Sequence, residues 1–121
     1  MGKFESFEEI KSWQKARIFN KRVYEITDNQ NFKKDFDLVR QIRRASISIS
    51  SNIAEGFERN TDKEFIHFLY IAKASAAELR SQLYLAFDLN YIEKTEFEEL
   101  FNDVSDISKL ISGFIKYLNK S

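Results

Sequence analysis

The amino-acid sequence predicts an all-α chain folded as an antiparallel up-down-up-down four-helix bundle, on three observations. Proline is absent from the 121 residues and glycine occurs only at positions 2, 56 and 113, so the turn punctuation of a β-sandwich or barrel is missing. Apolar residues recur at steps of three and four through four segments. Three Ser/Thr-x-x-Glu capping boxes, Ser6–Glu9, Thr61–Glu64 and Thr95–Glu98, stand where three of those segments begin.

The first helix is predicted over roughly 7–29, with Ile10, Trp13, Ala16, Phe19, Val23 and Ile26 on its apolar stripe and Asp28-Asn29-Gln30-Asn31 as a polar stop. The second, roughly 36–57, is capped by Asp35 or Asp37, with Gly56 read as a C-terminal cap. Its centre is ambiguous at short range. Residues 43–59, RRASISISSNIAEGFER, alternate Ser and Ile as a half-buried strand would, yet Leu38, Ile42, Ala45, Ile49, Ile53 and Phe57 keep the helical repeat. The wider window decides for helix. The third, roughly 62–89, carries an unbroken seam of Phe65, Leu69, Ala72, Ala76, Leu79, Leu83 and Ala86, with Asn90 as its C′ residue. The fourth, roughly 96–119, repeats Phe97, Leu100, Val104, Ile107, Ile111, Phe114 and Leu118. Short connections force consecutive helices antiparallel.

One domain spanning 1–121 is expected, since the chain is too short for two cores. The absence of cysteine excludes disulfides, thiolate catalysis and sulfur-ligated metals. With no apolar leader and no membrane-length apolar run, a cytoplasmic protein without membrane contact is expected. Nineteen basic and nineteen acidic residues cancel, but unevenly. Residues 10–44 hold ten basic and four acidic side chains, whereas 93–106 hold one lysine and six acids. Either these opposite faces pair with each other, or the basic segment is a phosphate-binding surface.

Enzyme classes find little support. Glu64-x-x-His67 matches half of a di-iron Glu-x-x-His motif, but His67 is the only histidine, so neither that site nor a Ser-His-Asp arrangement can be assembled. Arg59 and His67 are separated by seven residues, outside the four to six of small helical ribonucleases of the HEPN type. No Gly-rich phosphate loop is present. The reading is a non-enzyme with no cofactor, no catalytic residue and no metal site.

The polar side of the second helix is more informative. Arg40, Arg44, Ser48, Ser51 or Asn52, and Glu55 follow one another at helical spacing, with Arg43 beside them. This stripe is either a polar seam between subunits, in which Arg43 or Arg44 meets Glu55 or Glu78, or a phosphate-contacting face. Aromatic residues off the main seams, namely Phe7, Tyr24, Phe68, Tyr70, Tyr84, Phe87, Phe101 and Tyr117, suggest a second apolar stripe and hence a homo-oligomer. The small residues from Ala72 to Ala77 would let a neighbouring helix approach closely.

Gln41-Ile42-Arg43-Arg44-Ala45, followed by Ser48-Ile49-Ser50-Ser51-Asn52-Ile53-Ala54-Glu55-Gly56, resembles the signature of the four-helix-bundle proteins encoded in 23S rRNA intervening sequences, often labelled S23 ribosomal protein. Phe68-Leu69-x-Ile71-Ala72-x-x-Ser75-x-x-Glu78-Leu79 resembles the family's third helix, and the likeness runs from about Phe7 to Leu118. It implies a left-handed bundle assembling as a homopentamer. It also implies kinship with the accessory variability protein of diversity-generating retroelements, in which a basic surface contacts nucleic acid and a reverse transcriptase. On that basis Lys11, Lys15, Arg17, Lys21, Arg22, Arg40, Arg43 and Arg44 are candidate nucleic-acid contacts. Arg43, Arg44, Asn52, Glu55, Gly56 and Glu78 are candidates for a signature seam. Where relatives commonly carry proline this chain has Ser50, which keeps its N–H and softens any kink. The functional expectation is a homo-oligomeric accessory or scaffold protein that binds rRNA or another structured nucleic acid. The alternative is a purely structural or protein-binding oligomer with no nucleic-acid contact.

Overall fold

The computed structural model describes residues 4–120. They form helices α1 (Lys11–Thr27), α2 (Phe36–Phe57), α3 (Asp62–Asp88) and α4 (Lys94–Asn119), with short 3-10 turns at Phe7–Glu9 and Phe32–Lys34. Among the described residues there is no strand. The alternating serines and isoleucines of α2 are helical throughout.

Cross-helix contacts fix the topology. Thr27 meets Arg43 while Asn20 meets Ser50, so α1 and α2 run antiparallel. Arg44 meets Glu78 and Ser48 meets Ser75 across α2 and α3, and Tyr84 meets Phe97 while Phe65 meets Phe114 across α3 and α4. Arg22 with Glu99 closes α1 onto α4. The four helices therefore form a closed up-down-up-down ring.

The core follows the apolar period. All seven α3 seam residues are buried, as are Ala16, Phe19, Val23 and Ile26 of α1, Leu38, Ile42, Ala45, Ile49 and Ile53 of α2, and Leu100, Val104, Ile107, Ile111 and Leu118 of α4. Each large aliphatic side chain removed from water in this way is worth about 1.5–3 kcal/mol. Trp13, Phe57, Phe97 and Phe114 pack against this core while partly exposed.

Helix ends depart from the sequence reading in three places. Ser6 makes no side-chain cap, and the segment it was expected to start is only a 3-10 turn. Ile10 then adopts extended geometry, φ −78° and ψ 124°, and α1 begins at Lys11. The cause is burial: Ile10 is 2% exposed, and the bend folds the Phe7 ring edge-on to Trp13 at 5.0 Å. Helix α4 begins two residues before the predicted start. Its capping box is Glu93 with Glu96, the Glu93 N–H donating to Glu96 Oε1 at 2.9 Å, rather than Thr95 with Glu98. Asn90 reverses the chain at φ 63°, with its N–H on Phe87 O and the Tyr91 N–H on Ala86 O, a Schellman closure. That turn seats Ile92 in the core, so the first free helical turn opens at Glu93.

Gly56 is the third correction. It lies inside α2, where Glu58 in αR geometry is the cap. Its role is close approach: a Cβ there would stand 2.8 Å from both the Phe65 ring and Phe68 Cβ. The Asp35 and Thr61 caps do form, Asp35 Oδ1 accepting from the Leu38 N–H at 3.1 Å and Thr61 Oγ1 from the Glu64 N–H at 3.2 Å.

These observations set two glycine substitutions against each other. Gly56→Ala should destabilise the chain by about 1–3 kcal/mol, because the packed phenylalanines must move. Gly113→Ala meets nothing within 4 Å and lies within α4, so it should stabilise by about 0.5–1 kcal/mol. Urea denaturation of both variants beside the parent chain checks the opposite signs.

Candidate functional site

Helix α2 is tied to its neighbours by two small polar seams. Toward α1, the Ser46 hydroxyl donates to Asn20 Oδ1 at 2.6 Å and Asn20 Nδ2 donates to Ser50 Oγ at 3.0 Å. The Ser50 hydroxyl in turn donates to Ile47 O at 3.1 Å. Toward α3, Ser75 Oγ donates to Ser48 Oγ at 2.8 Å, and Asn52 Nδ2 donates to the same hydroxyl at 2.9 Å and to Ser48 O at 2.8 Å. Toward α3 the seam is lined by small residues, Ala45 and Ser48 of α2 with Ala72, Ser75 and Ala76 of α3, whereas toward α1 the Asn20 amide spans between the two serines. Ser46, Ser48 and Ser50 thus pack α2 against its neighbours in the same chain, while Ser51 is exposed.

On the outer surface of α2 lies an open groove of about 720 Å³, lined by Tyr24, Phe36, Val39, Arg40, Arg43, Arg44, Ile47 and Ser48. Arg43 is the most constrained of its cations. Its Nε donates to Thr27 Oγ1 at 2.9 Å, and its guanidinium lies over the Tyr24 ring at 4.2 Å. Thr27 in turn donates to Val23 O at 2.8 Å, so the arginine is positioned by a buried hydroxyl. Arg40 pairs with Asp37 at 3.1 Å, and Arg44 contacts Gln41 Oε1 and reaches Glu78 at 3.8 Å. Both pairs are solvent-exposed, a setting in which an ion pair contributes only about 0–1 kcal/mol. Phe36 projects from the groove at 77% exposure.

The other basic candidates separate from this groove. Arg22 meets Glu99 at 2.9 Å, and Lys15 lines a cleft with Glu99, Asp103 and Asp106 of α4. The basic and acidic segments thus face each other across α1 and α4. Asp103 is exposed, but partial desolvation in this cleft raises its carboxyl above the ordinary aspartate range, and the charges of Asp106 and Glu99 add to this while Arg22 and Lys15 oppose it. Arg17 lies 6.0 Å from the Trp13 ring, and Lys21 makes no ion pair among the described residues. Lys11 stands at the far end of α1, beside a separate apolar pocket.

The signature residues also divide. Glu78 is reached by Arg44, whereas Glu55 pairs with Arg59 at 3.9 Å, and neither Arg43 nor Arg44 meets it. Arg59 also holds Glu64 at 3.2 Å and lies 5.1 Å from the Phe68 ring, with His67 edge-on to the same ring. No three metal-ligating side chains cluster among the described residues. No described helix is long and apolar enough to cross a membrane. Ser75 stands in the third-helix pattern and the small-residue run read from the sequence, whereas Asn20 and Thr27 are not singled out there, although each is a polar residue at a helix-seam position, which is the signal that could have found them.

Two measurements probe this network. Asn20→Ala leaves the buried Ser46 hydroxyl without its partner and should cost about 1–3 kcal/mol in thermal or urea unfolding, more than Asn52→Ala, whose two bonds to Ser48 both lie within its own helix. For Asp103 the folded pKa is raised, so the folded state binds the proton more readily and stability falls as pH rises out of the ordinary carboxylate range. Asp103→Asn should therefore gain stability over the parent near neutral pH, with the difference vanishing in acid. A difference that grows toward acid pH would contradict the sign.

The profile of the 23S rRNA-intervening sequence protein family matches residues 8–113. Among solved structures, the chain is similar to a Bacteroides thetaiotaomicron protein of unknown function from the S23 ribosomal protein family. The TM-score is 0.81 with 31% sequence identity, covering 87% of this chain and 95% of that one. A comparison with curated proteins finds no match. With the signature residues of α2 forming the seams and groove just described, this chain belongs to the 23S rRNA-intervening sequence protein family.

Proposed function

We propose that this chain is a non-enzymatic, cytoplasmic, homo-oligomeric scaffold, pentameric in its working form, that contacts structured RNA such as rRNA through the α2 groove. The observation that carries the reading is the convergence of Arg40, Arg43 and Arg44 with the exposed rings of Tyr24 and Phe36 in one open groove. Guanidinium groups supply charge-assisted bonds to phosphate, and exposed rings supply stacking surfaces for unpaired bases. The ion pairs of Arg40 with Asp37 and of Arg44 with Glu78 are exposed, and the further bond of Arg44 is to the neutral Gln41 amide, so phosphate can displace those partners at little cost. Lys15 and Arg22, by contrast, are opposed by the acids of α4 and contribute little to such a surface.

Self-association is supported by exposed apolar side chains on α3 and at its C-cap, where Tyr70, Tyr84, Leu85 and Leu89 are each 45–53% exposed. Of the extra aromatics, Phe87 and Phe101 are drawn into a ring cluster with Phe97 and Tyr84, broadening the core rather than the surface. Sedimentation equilibrium at micromolar concentration should give a mass of five chains, and a single-chain mass at high concentration would overturn the assembly.

For the RNA interaction, fluorescence anisotropy with a structured rRNA fragment across a salt series is the test. Arg40→Gln with Arg44→Gln should weaken binding at low salt by about tenfold or more and lower the magnitude of the log–log salt slope by about two, near one for each phosphate that is no longer neutralised. Lys15→Gln should leave both almost unchanged. Absence of salt-dependent binding by the parent chain would favour the alternative, an oligomer whose arginines serve protein contacts alone.

A further inference from the structure

A second pocket lies between the start of α1 and the last turns of α4, away from the α2 groove. Its walls are Phe4, Ile10, Lys11, Ser12, Leu110 and Phe114, with Tyr117, and its volume is about 260 Å³. Two independent features give this largely apolar pocket a polar preference. Helix α1 starts without a side-chain cap and without an acid in its first turn, so no side chain accepts from its first N–H groups; of the acids just before it, Glu9 accepts instead from the Glu5 N–H. The other three helices each have an acid in the first turn, and a carboxylate or hydroxyl caps the start of α2 and α3.

The second feature is Ser12. It lines the pocket at 2% exposure, and its hydroxyl has no hydrogen-bond partner among the described residues. A buried donor of this kind is ordinarily satisfied. Here the unpartnered hydroxyl, an uncapped helix start and the Lys11 ammonium occur together at one apolar pocket.

We propose that this pocket binds a small monocarboxylate with an apolar body, its carboxylate accepting from the Ser12 hydroxyl and the first-turn N–H groups of α1 while the body lies against Leu110, Phe114 and Tyr117. Helix N-termini favour anions for the reasons that make them phosphate sites elsewhere. The apolar walls select against inorganic phosphate, which has no apolar surface to bury. The volume is below the ~300–1,000 Å³ of clefts that hold drug-sized molecules, so the ligand is of the size of benzoate or hexanoate. Lys11 at the rim adds charge attraction and accounts for one basic residue of α1 that pairs with no acid of α4 among the described residues.

The experiment uses the full chain with benzoate and hexanoate as probes, and benzyl alcohol and hexanol as uncharged counterparts of the same shape. Trp13, the only tryptophan, follows Ser12 directly and reports binding by its fluorescence, with calorimetry as an independent readout. The expected result is saturable carboxylate binding at least tenfold tighter than the alcohols. Ser12→Ala should weaken it about tenfold, Lys11→Gln several-fold, and Leu110→Trp should abolish it by filling the pocket. The helical circular dichroism of each variant should match the parent, and Lys11→Gln, at an exposed position, keeps the test open should Leu110→Trp fail to fold. Equal affinity for acid and alcohol, or carboxylate binding unchanged by both Ser12→Ala and Lys11→Gln, would overturn the proposal. Neither result bears on RNA binding, which is read at the α2 groove.

Discussion

The hydrogen bonds that tie α2 to both of its neighbours are the constraint on which the rest of the structure depends. Hydroxyl and amide groups of 2.6–3.0 Å separation join it to α1 through Asn20 and to α3 through Ser75. Such bonds are individually modest, about 0.5–1.5 kcal/mol net, but leaving one partner buried and unpaired costs more. Their effect is on specificity. An apolar seam would tolerate a helix sliding by a turn, whereas these donors and acceptors are matched only in the observed register. Gly56 extends the same constraint to the end of α2, where Phe65 and Phe68 occupy the space a side chain would take. With α2 fixed in this way, its outer residues are held in a defined order, and Arg43 is positioned over Tyr24 by a hydroxyl on α1.

The fold was legible because the apolar period persists over whole helices. In α3, seven consecutive seam positions are buried, and no local signal competes with so long a pattern. Helix ends were less legible, for a physical reason. A capping box is worth about one kcal/mol, so burying a neighbouring large side chain can override it. At Ser6 the burial of Ile10 does so. At Thr95 the Schellman turn through Asn90 and the seating of Ile92 bring the helix start forward to Glu93. Gly56 carries the same lesson: glycine near a helix end reads as a cap, but its lack of a Cβ serves equally well where aromatic side chains crowd against the helix.

The site was legible in composition and not in arrangement. That residues 10–44 are basic and 93–106 acidic is visible in the sequence. That Arg22 and Lys15 face the acids while Arg40, Arg43 and Arg44 face away depends on which flank of α1 each neighbouring helix occupies. The serines posed the converse problem. Their alternation drew attention, yet their partners Asn20 and Ser75 lie 26 and 27 residues away in the chain, beyond the reach of any local pattern.

A net charge of zero does not argue against a local anion-binding groove. A bound phosphate senses charges within roughly a Debye length, about 8 Å at physiological ionic strength. Helices α2 and α4 occupy diagonal corners of the ring. With neighbouring axes at about 8–10 Å, the diagonal separates them by roughly 11–14 Å before side chains extend outward on opposite flanks. The acids of α4 are therefore screened from the α2 groove, and they are also locally offset by Arg22 and Lys15. What the neutral balance removes is the long-range field that gathers polyanions indiscriminately. Under the function proposed above, such a chain reaches RNA by short-range complementarity, strengthened by multivalent contact where the proposed assembly presents several copies of the groove.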